Sequence, residues 1–241
     1  MIKASPEQYI YPPRSKDAIP RSDTNIFATL RWRAQYKYND TRLLVKICPN
    51  GQIQLWNRHA ERYRTYHLPE HLQQQLEHVA TQLGHIPGHL TLLDGGLLDQ
   101  KHRAIKDTIV IWDILVLNDQ HLIGTTYSQR HNQILSISSV ETWDYHHDSS
   151  TSIPFGQKLS EDIFTPNNIP PEHWQQAWNT IEKVNEPFTI GKPNQPGYQC
   201  SPVLEGLVFK DPHGLLEMGF KQQNNDSWMI RSRVKTGRHT F

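Results

Sequence analysis

Hydrophobic and polar positions alternate along the first quarter of the chain in a way typical of β-strands. The alternation covers residues 30–37 and 42–56. Within the second stretch, the turn sequence Pro49-Asn50-Gly51 separates two short apolar runs. Asn-Gly between apolar runs is a strong local signal for a tight turn. The pattern therefore predicts a β-hairpin here.

Two later segments instead repeat apolar residues at helical spacing. The first helix is predicted to have Pro69 in its first turn and to stop at Gly84, and the second to begin near Pro171. Their predicted buried faces carry, in order, Leu72, Leu76, Val79 and Leu83, and then Trp174, Ala177, Trp178 and Ile181. Three- and four-residue spacings place each set on one side of a helix.

The other apolar stretches are rich in β-branched residues and predict strands. They are Leu90–Leu93, Thr108–Leu117, Ile134–Thr142, Pro202–Lys210, Leu215–Phe220 and Trp228–Ile230. Short strands interrupted by only two predicted helices favour an α+β fold with mainly antiparallel sheets. Residues 1–26 predict an extended N-terminal lead-in, and residues 143–171 a long connection or a boundary between two lobes.

Composition narrows the functional classes. The chain has 241 residues and a formal net charge of +1. It contains no apolar run near the roughly 20 residues that cross a bilayer, and its N-terminus lacks the apolar core of a secretory signal. Cys48 and Cys200 are too few for a disulfide framework or a thiolate zinc site. We therefore expect a cytoplasmic protein without a membrane partner.

One lysine stands at a chemically favourable place. Lys37 lies at the end of a predicted strand, is followed by a short polar turn, and precedes Arg42 at the start of the next strand. Such a turn exposes the amine while the strands hold it in place. A neutral lysine amine is a nucleophile. Taken alone, however, a lysine in a turn is most often an ordinary surface residue.

The order of six segments gives this lysine more weight. The segments are Lys37–Arg42, Leu55–His59, Leu93–Leu98, Ile109–Leu115, Leu204–Lys210 and Trp228–Arg233. Together they resemble the nucleotidyltransferase domain of ATP-dependent DNA and RNA ligases. The fifth segment matches the family pattern Glu-Gly-hydrophobic-x-x-Lys closely, whereas the others match more loosely. The resemblance covers residues 35–233.

The resemblance implies a fold and a domain organisation. The fold is the ligase-type, ATP-grasp-like nucleotidyltransferase fold, with two mainly antiparallel sheets and flanking helices around an ATP cleft. We expect residues 27–241 to form this adenylation domain, with no C-terminal oligonucleotide-binding barrel. We also expect a monomer, with a partner clamp protein as the alternative.

The resemblance also implies a chemistry. The Lys37 amine would attack the α-phosphorus of ATP to form a covalent lysyl–AMP, with Mg²⁺ or Mn²⁺ as the cation. The AMP would pass to a 5′-phosphate on nucleic acid, and a 3′-hydroxyl would displace it. The implied catalytic residues are Lys37, Lys210, Arg231 and Arg233, the implied nucleotide-binding residues are Gln35, Asn39, Arg42, Arg58 and Trp112, and the implied metal ligands are Glu205 and Asp94. Among these, Trp112 would stack on adenine and Gln35 would read its exocyclic amine.

Five positions depart from the family pattern, and two of them, Arg231 and Arg233, keep the positive charge of the lysines that the pattern has there. Asn39 and Asp40 stand where the pattern has Asp-Gly, and Gly96 replaces a glutamate expected near the ribose and the metal. Asp94 or Asp99 are candidates to compensate for the missing glutamate. The departures keep two alternatives open: a degenerate domain that binds nucleotide or nucleic-acid ends without chemistry, and a capping-type guanylyltransferase. DNA and RNA, as nicked duplex or single strand, are all compatible with the motifs.

Overall fold

The protein has an α+β fold, as the sequence predicts. The computed structural model describes residues 2–5, 7–15, 18–98, 105–148, 151–192, 195–219 and 227–234. The α-helices are α1 (Asn25–Thr29), α2 (Glu70–Gln82), α3 (Tyr127–Leu135) and α4 (Trp174–Asn185), and short 3₁₀ turns cover Arg21–Asp23, Pro171–His173 and Glu186–Phe188. In the part of the chain that is described, no helix has the length and apolar character needed to cross a membrane.

The strands form two main sheets. They are β1 (Ile2–Lys3), β2 (Ala18–Ile19), β3 (Arg33–Tyr38), β4 (Thr41–Ile47), β5 (Ile53–Trp56), β6 (Thr91–Leu98), β7 (Thr108–Leu117), β8 (Gln120–His121), β9 (Thr142–Asp148), β10 (Thr151–Lys158), β11 (Ile163–Pro166), β12 (Thr189–Ile190), β13 (Gln199–Cys200), β14 (Leu204–Lys210) and β15 (Met229–Arg233). The larger sheet runs β5-β4-β6-β7-β11-β10-β9, with β8 and β1 attached beside β7, and the smaller runs β2-β15-β14-β3.

Both sheets are mainly antiparallel. The exceptions among the described strand pairs are β11 with β7 and β15 with β2, which are parallel. The predicted hairpin is confirmed, because β4 and β5 pair antiparallel across the turn. Gly51 has a φ of 80° in that turn, a value that glycine adopts without steric cost.

Three hydrophobic clusters hold the layers together. One packs α2 and Ile134 of α3 against one face of β4, β6 and β7. A second lies between the smaller sheet, α4 and the β9–β11 part of the larger sheet. The two predicted helices are confirmed as α2 and α4, and all of their predicted inward residues are buried.

The N-terminal segment is part of the fold rather than a separate lead-in. β1 pairs with β8 of the larger sheet, and β2 pairs with β15 of the smaller one. Between them, Ile10 is 1% exposed and packs in the third hydrophobic cluster, and the Tyr11 amide donates to the Gly219 carbonyl at 2.6 Å. The described parts of this segment, residues 2–5, 7–15 and 18–19, therefore form a strap that joins the two sheets.

The prediction of a long connection at residues 143–171 is wrong. These residues contain most of β9 together with β10 and β11, which extend the larger sheet. Tyr145, Ile153 and Phe155 alternate into the second cluster. The segment forms a hairpin and one further strand. Its inward side chains contribute to the hydrophobic core, so it is not a boundary between two lobes.

Two predicted strands are also wrong. The stretch from Ile134 begins at the end of α3, and β9 starts only at Thr142. Leu215 makes an isolated bridge to Thr126, and the described residues that follow it, 216–219, are not in a strand. The strand predicted at 215–220 is therefore not formed over its described residues, 215–219.

The integration of the strap gives a test by stability. Ile10→Ala should destabilise the protein by about 2–5 kcal/mol, because it removes buried side-chain volume from a packed cluster. Ile26→Ala is the matched control: Ile26 is 63% exposed, so its truncation should stay within about 0.5 kcal/mol. Urea unfolding of both variants measures the difference. Equal stability of the two variants would mean that the strap contributes nothing to the fold.

Candidate functional site

A cavity of about 440 Å³ lies between the two sheets. Strands β3, β14 and β15 form one wall, β4, β6 and β7 form the other, and the strap closes one side. The candidate residues that line it are Gln35, Lys37, Arg42, Arg58, Asp94, Trp112, Glu205, Lys210, Arg231 and Arg233. Ten of the eleven site residues predicted from the sequence are therefore brought to one cavity.

Strand pairing in the smaller sheet brings cationic side chains of neighbouring strands to the same level. Gly206 of β14 pairs with Lys37 on one side and with Arg233 on the other, and Val208 pairs in the same way with Gln35 and Arg231. Residues two apart on a strand face the same side, and directly paired residues share that face. This register is why Lys37, Arg231 and Arg233 all project into the cavity.

Glu205 lies between two of these cations. Its Oε2 accepts a hydrogen bond from the Lys37 amine, and Arg233 Nη2 is 3.6 Å from the same oxygen. The Lys37 and Glu205 side chains are 17% and 20% exposed, so the pair is accessible from the cavity. The nucleophile candidate, the carboxylate and the arginine thus form one cluster.

Gly206 allows this cluster to form. Its φ is 141°, and a Cβ there would lie 2.0 Å from the Ser232 carbonyl oxygen of the neighbouring strand. A register shift occurs between Leu204 and Gly206 where β14 pairs with β3. The irregular backbone turns Glu205 toward the cavity wall, and only glycine fits directly after it.

The opposite wall carries a second ion pair. Both oxygens of Asp94 accept hydrogen bonds from Arg42, at 2.6 and 2.5 Å, and Arg42 also donates to the Pro13 carbonyl of the strap at 2.8 Å. The Arg42 guanidinium lies 4.8 Å from the Trp112 ring centre. Burial raises the pKa of Asp94 to about 6, against the opposing effect of Arg42. A cation at Asp94 would have to compete with Arg42.

Lys210 sits at the buried end of the cavity. Its amine is 4.5 Å from the centre of the Tyr127 ring. Burial lowers the pKa of Lys210 to about 8, although Asp113 and Asp94 act in the opposite direction. Asp113 is itself held by Arg130, through Nε at 2.7 Å and Nη2 at 3.0 Å. The Asp113 and Asp94 carboxylates thus stabilise the Lys210 cation in this buried region, whereas Arg42 and Arg130 act against it.

The Gln35 side chain lines the cavity and also makes polar contacts with buried side chains behind the cavity wall. Its amide nitrogen donates to Tyr127 Oη at 2.7 Å and is 3.0 Å from His131 Nε2. Its amide nitrogen also lies within hydrogen-bonding reach of Asn168 Oδ1, at 3.3 Å. These contacts fix the orientation of its side chain. The adenine-reading role of Gln35 stays a prediction.

Asn39 is the predicted site residue that does not line the cavity. Its side chain donates to the Pro202 carbonyl at 2.8 Å, which ties the β3–β4 turn to the start of β14. Its neighbour Asp40 lines the cavity instead. Arg58 is exposed at the cavity edge, where its Nε contacts His59 at 3.1 Å. Asp99 lies outside the described residues.

Sequence reasoning missed several lining residues. They include Tyr11, Pro12, Pro13, Arg14 and Ser15 of the strap, together with Asp40, His59, Tyr63, Asp113 and Met229. A signal for the strap exists in the sequence, because the aromatic and apolar run Tyr9-Ile10-Tyr11 is unusual in a solvated lead-in. The lining position of the remaining residues has no local signature in the sequence.

The fold resembles solved ligase structures. It matches the structure named Pmar-Lig_Pre with a TM-score of 0.50 at 17% identity over 93% of this chain. It also matches the ligase domain of LigD from M. tuberculosis (TM-score 0.49, 14% identity, 94% of this chain) and the ATP-dependent DNA ligase from bacteriophage T7 in complex with ATP (0.49, 12%, 93%). The ligase-type fold expected from the motifs is confirmed at this level.

The matches are partial in length. This chain spans 46% of Pmar-Lig_Pre, 58% of the LigD chain and 68% of the T7 ligase chain. No protein-family model and no curated protein sequence matches this chain.

The burial of Lys210 gives a test by pH. An unfolded lysine keeps its proton up to about pH 10.4, whereas the folded protein releases it at about pH 8. Between these values the unfolded chain binds more protons, so this group makes stability rise with pH. Lys210→Met should remove up to about 1.4 kcal/mol of that rise per pH unit.

Urea unfolding across this pH interval measures the slope for each variant. Lys183→Met is the control, because Lys183 is exposed on α4 and should leave the slope of the parent unchanged. A Lys210→Met slope equal to the parent slope would show that the Lys210 amine is not held in a desolvated site.

Proposed function

We propose that this protein is an ATP-dependent nucleotidyltransferase of the ligase type, which attaches AMP to Lys37 and uses it to join nucleic-acid ends. The single observation that carries the proposal is the Lys37–Glu205–Arg233 cluster inside the cavity between the sheets. It combines an accessible amine with a carboxylate and a fixed cation in one place. The similarity of fold supports the proposal.

In the first step the neutral Lys37 amine attacks the α-phosphorus of ATP. The new N–P bond forms as the P–O bond to pyrophosphate breaks, and the amine loses a proton. Negative charge develops on the phosphate oxygens during this transfer, so fixed cations stabilise the transition state. Arg231 and Arg233 are the residues we assign to that role, because both lie in rows beside Lys37 or Gln35.

In the later steps a 5′-phosphate on nucleic acid attacks the lysyl-linked AMP, and Lys37 leaves. A 3′-hydroxyl then attacks that 5′-phosphate and gives up its proton to solvent. The phosphodiester bond forms as the bond between the 5′-phosphate and AMP breaks, and AMP leaves. We assign Trp112 to the adenine and Arg42 and Arg58 to the ribose and phosphates. Trp112 lies in the cavity wall beside the Arg42 guanidinium, and its ring is the kind of flat surface on which an adenine ring stacks.

The donor set fits a hard divalent cation shared with the nucleotide. Among the described residues, no group of three or more His, Cys, Asp or Glu side chains forms a ready metal site. Mg²⁺ commonly needs only one or two protein carboxylates when phosphate oxygens complete its shell. We assign Glu205 as the protein ligand of this cation. A divalent cation there would offset the negative charge that develops on the phosphate oxygens.

The covalent step has a direct test. The parent protein, incubated with labelled ATP and Mg²⁺, should gain the mass of one adenylyl group, and Lys37→Ala should gain none because it lacks the amine. Intact-mass spectrometry measures both, with circular dichroism to check folding. Lys183→Ala, which truncates an exposed lysine of α4, should label like the parent. Full labelling of Lys37→Ala would remove Lys37 from the proposed role, and an unlabelled parent would favour the degenerate alternative.

The carboxylate has a separate test. Glu205→Gln keeps the shape of the side chain but removes a charge whose interaction with a cation a few ångströms away is worth about 1–4 kcal/mol. The Mg²⁺ concentration for half-maximal adenylation should therefore rise about tenfold or more. The adenylation rate as a function of Mg²⁺ concentration measures this midpoint.

Glu182→Gln is the control for this test, because Glu182 is an exposed α4 carboxylate that pairs with Arg21 outside the cavity. It should leave the midpoint unchanged. An unchanged midpoint in Glu205→Gln would limit Glu205 to holding Lys37 and Arg233.

A further inference from the structure

Asp40 and Gly96 compete for one place in the cavity wall. Strands β4 and β6 are antiparallel, with Arg42 paired to Gly96. A Cβ at Gly96 would lie 1.8 Å from Asp40 Oδ2 and 2.7 Å from its Cγ. Neither distance is possible between non-bonded atoms. The carboxylate of Asp40 therefore occupies the volume that a side chain at position 96 would fill.

In the structure, two departures from the family pattern that are separate in the sequence lie next to each other. Position 40 carries a carboxylate where the family pattern has glycine, and position 96 carries glycine where the pattern has a carboxylate. The structure brings the two positions into contact across neighbouring strands. One carboxylate remains at this point of the wall, and it is supplied from the β3–β4 turn.

The position of Asp40 along the cavity indicates what it can contact. Asp40 is 8% exposed and lines the cavity. It follows Lys37 by three residues and precedes Arg42 by two, so at about 3.3 Å per residue its Cα lies within about 10 Å of both. Arg42 in turn lies against Trp112. Asp40 therefore lies in the turn that links the wall carrying Lys37 to the wall carrying Arg42.

We propose that the Asp40 carboxylate accepts a hydrogen bond from the vicinal hydroxyls of the sugar of the bound nucleotide, and so gives the cavity its preference for ribonucleotides. This inference rests on the proposed function and names the residue that recognises the sugar. A sugar hydroxyl needs one acceptor, which a single carboxylate provides. A divalent cation needs several oxygen ligands, and the carboxylate of Asp94 on the same wall is already paired with Arg42.

The backbone permits an exchange of the two side chains. Neither Asp40 nor Gly96 is among the described residues with positive φ, so each position accepts glycine or a side chain. Once Asp40 is replaced by glycine, the space beside Gly96 is open. A glutamate at position 96 would then bring its carboxylate into the same part of the wall.

The experiment measures binding of AMP and of 2′,3′-dideoxy-AMP by equilibrium dialysis without added Mg²⁺. The proteins are the parent, Asp40→Gly, Gly96→Glu and the double variant Asp40→Gly/Gly96→Glu. The parent should bind AMP about 10- to 100-fold more tightly than the dideoxy nucleotide, the effect of hydrogen bonds to a charged acceptor. Asp40→Gly should bind both equally, Gly96→Glu should weaken both through its clash, and the double variant should regain most of the preference.

Two further variants make the result decisive. Asp40→Asn retains one acceptor oxygen and should keep part of the preference, which tests the acceptor role even where the double variant does not fold. Asp23→Gly, at an exposed position outside the cavity, should behave as the parent. The proposal is overturned if Asp40→Gly keeps the preference, if a folded double variant does not regain any, or if the parent shows a preference only when Mg²⁺ is added.

AMP cannot adenylate Lys37, so this measurement is independent of the covalent step. A parent that prefers AMP but forms no adduct with ATP would contradict the proposed function alone. A parent that forms the adduct while Asp40→Gly keeps its sugar preference would contradict this inference alone.

Discussion

The carboxylate of Glu205 lies between Lys37 and Arg233, and the candidate site depends on this placement. Strand pairing puts several cations on one face of the smaller sheet, where like charges repel one another in a cavity of limited water access. A carboxylate shared by two of them offsets that repulsion. Glu205 can occupy this position only because residue 206 is glycine. The backbone there lies so close to the next strand that no side chain would fit.

Elements whose buried positions are apolar and regularly spaced can be predicted from the sequence. Elements whose buried positions are polar cannot be predicted in the same way. Helix α2 presents leucines and a valine to the core and was found from their spacing. Helix α3 buries Arg130 and His131 beside Tyr127 and Ile134, so its inward face does not read as apolar. Its N-terminal capping box, Thr126 with Gln129, was the available signal.

The hairpin of β9 and β10 was mistaken for a connection for a related reason. Tyr145, Ile153 and Phe155 do alternate toward the core, but Pro154 and the polar residues around them hide the period. For the site, ordered motifs were enough to predict ten lining residues, because nine of them occupy defined places on strands and Arg58 follows β5 by two residues. The strap could not be predicted in this way, since its contacts with Arg42 and with both sheets join residues distant in sequence.

The comparison of positions 40 and 96 shows why motif departures need a structure for their interpretation. Counted along the sequence, a gained carboxylate at Asp40 and a lost one at Gly96 are two separate deviations from the ligase pattern, and each weighs against activity. In space they are one change, because the two positions share a volume that holds only one side chain. The number of carboxylates at this point of the wall is then unaltered, and what differs is the segment that supplies it: the β3–β4 turn instead of β6. The departures therefore weigh less against a working nucleotide site than their count along the sequence suggests.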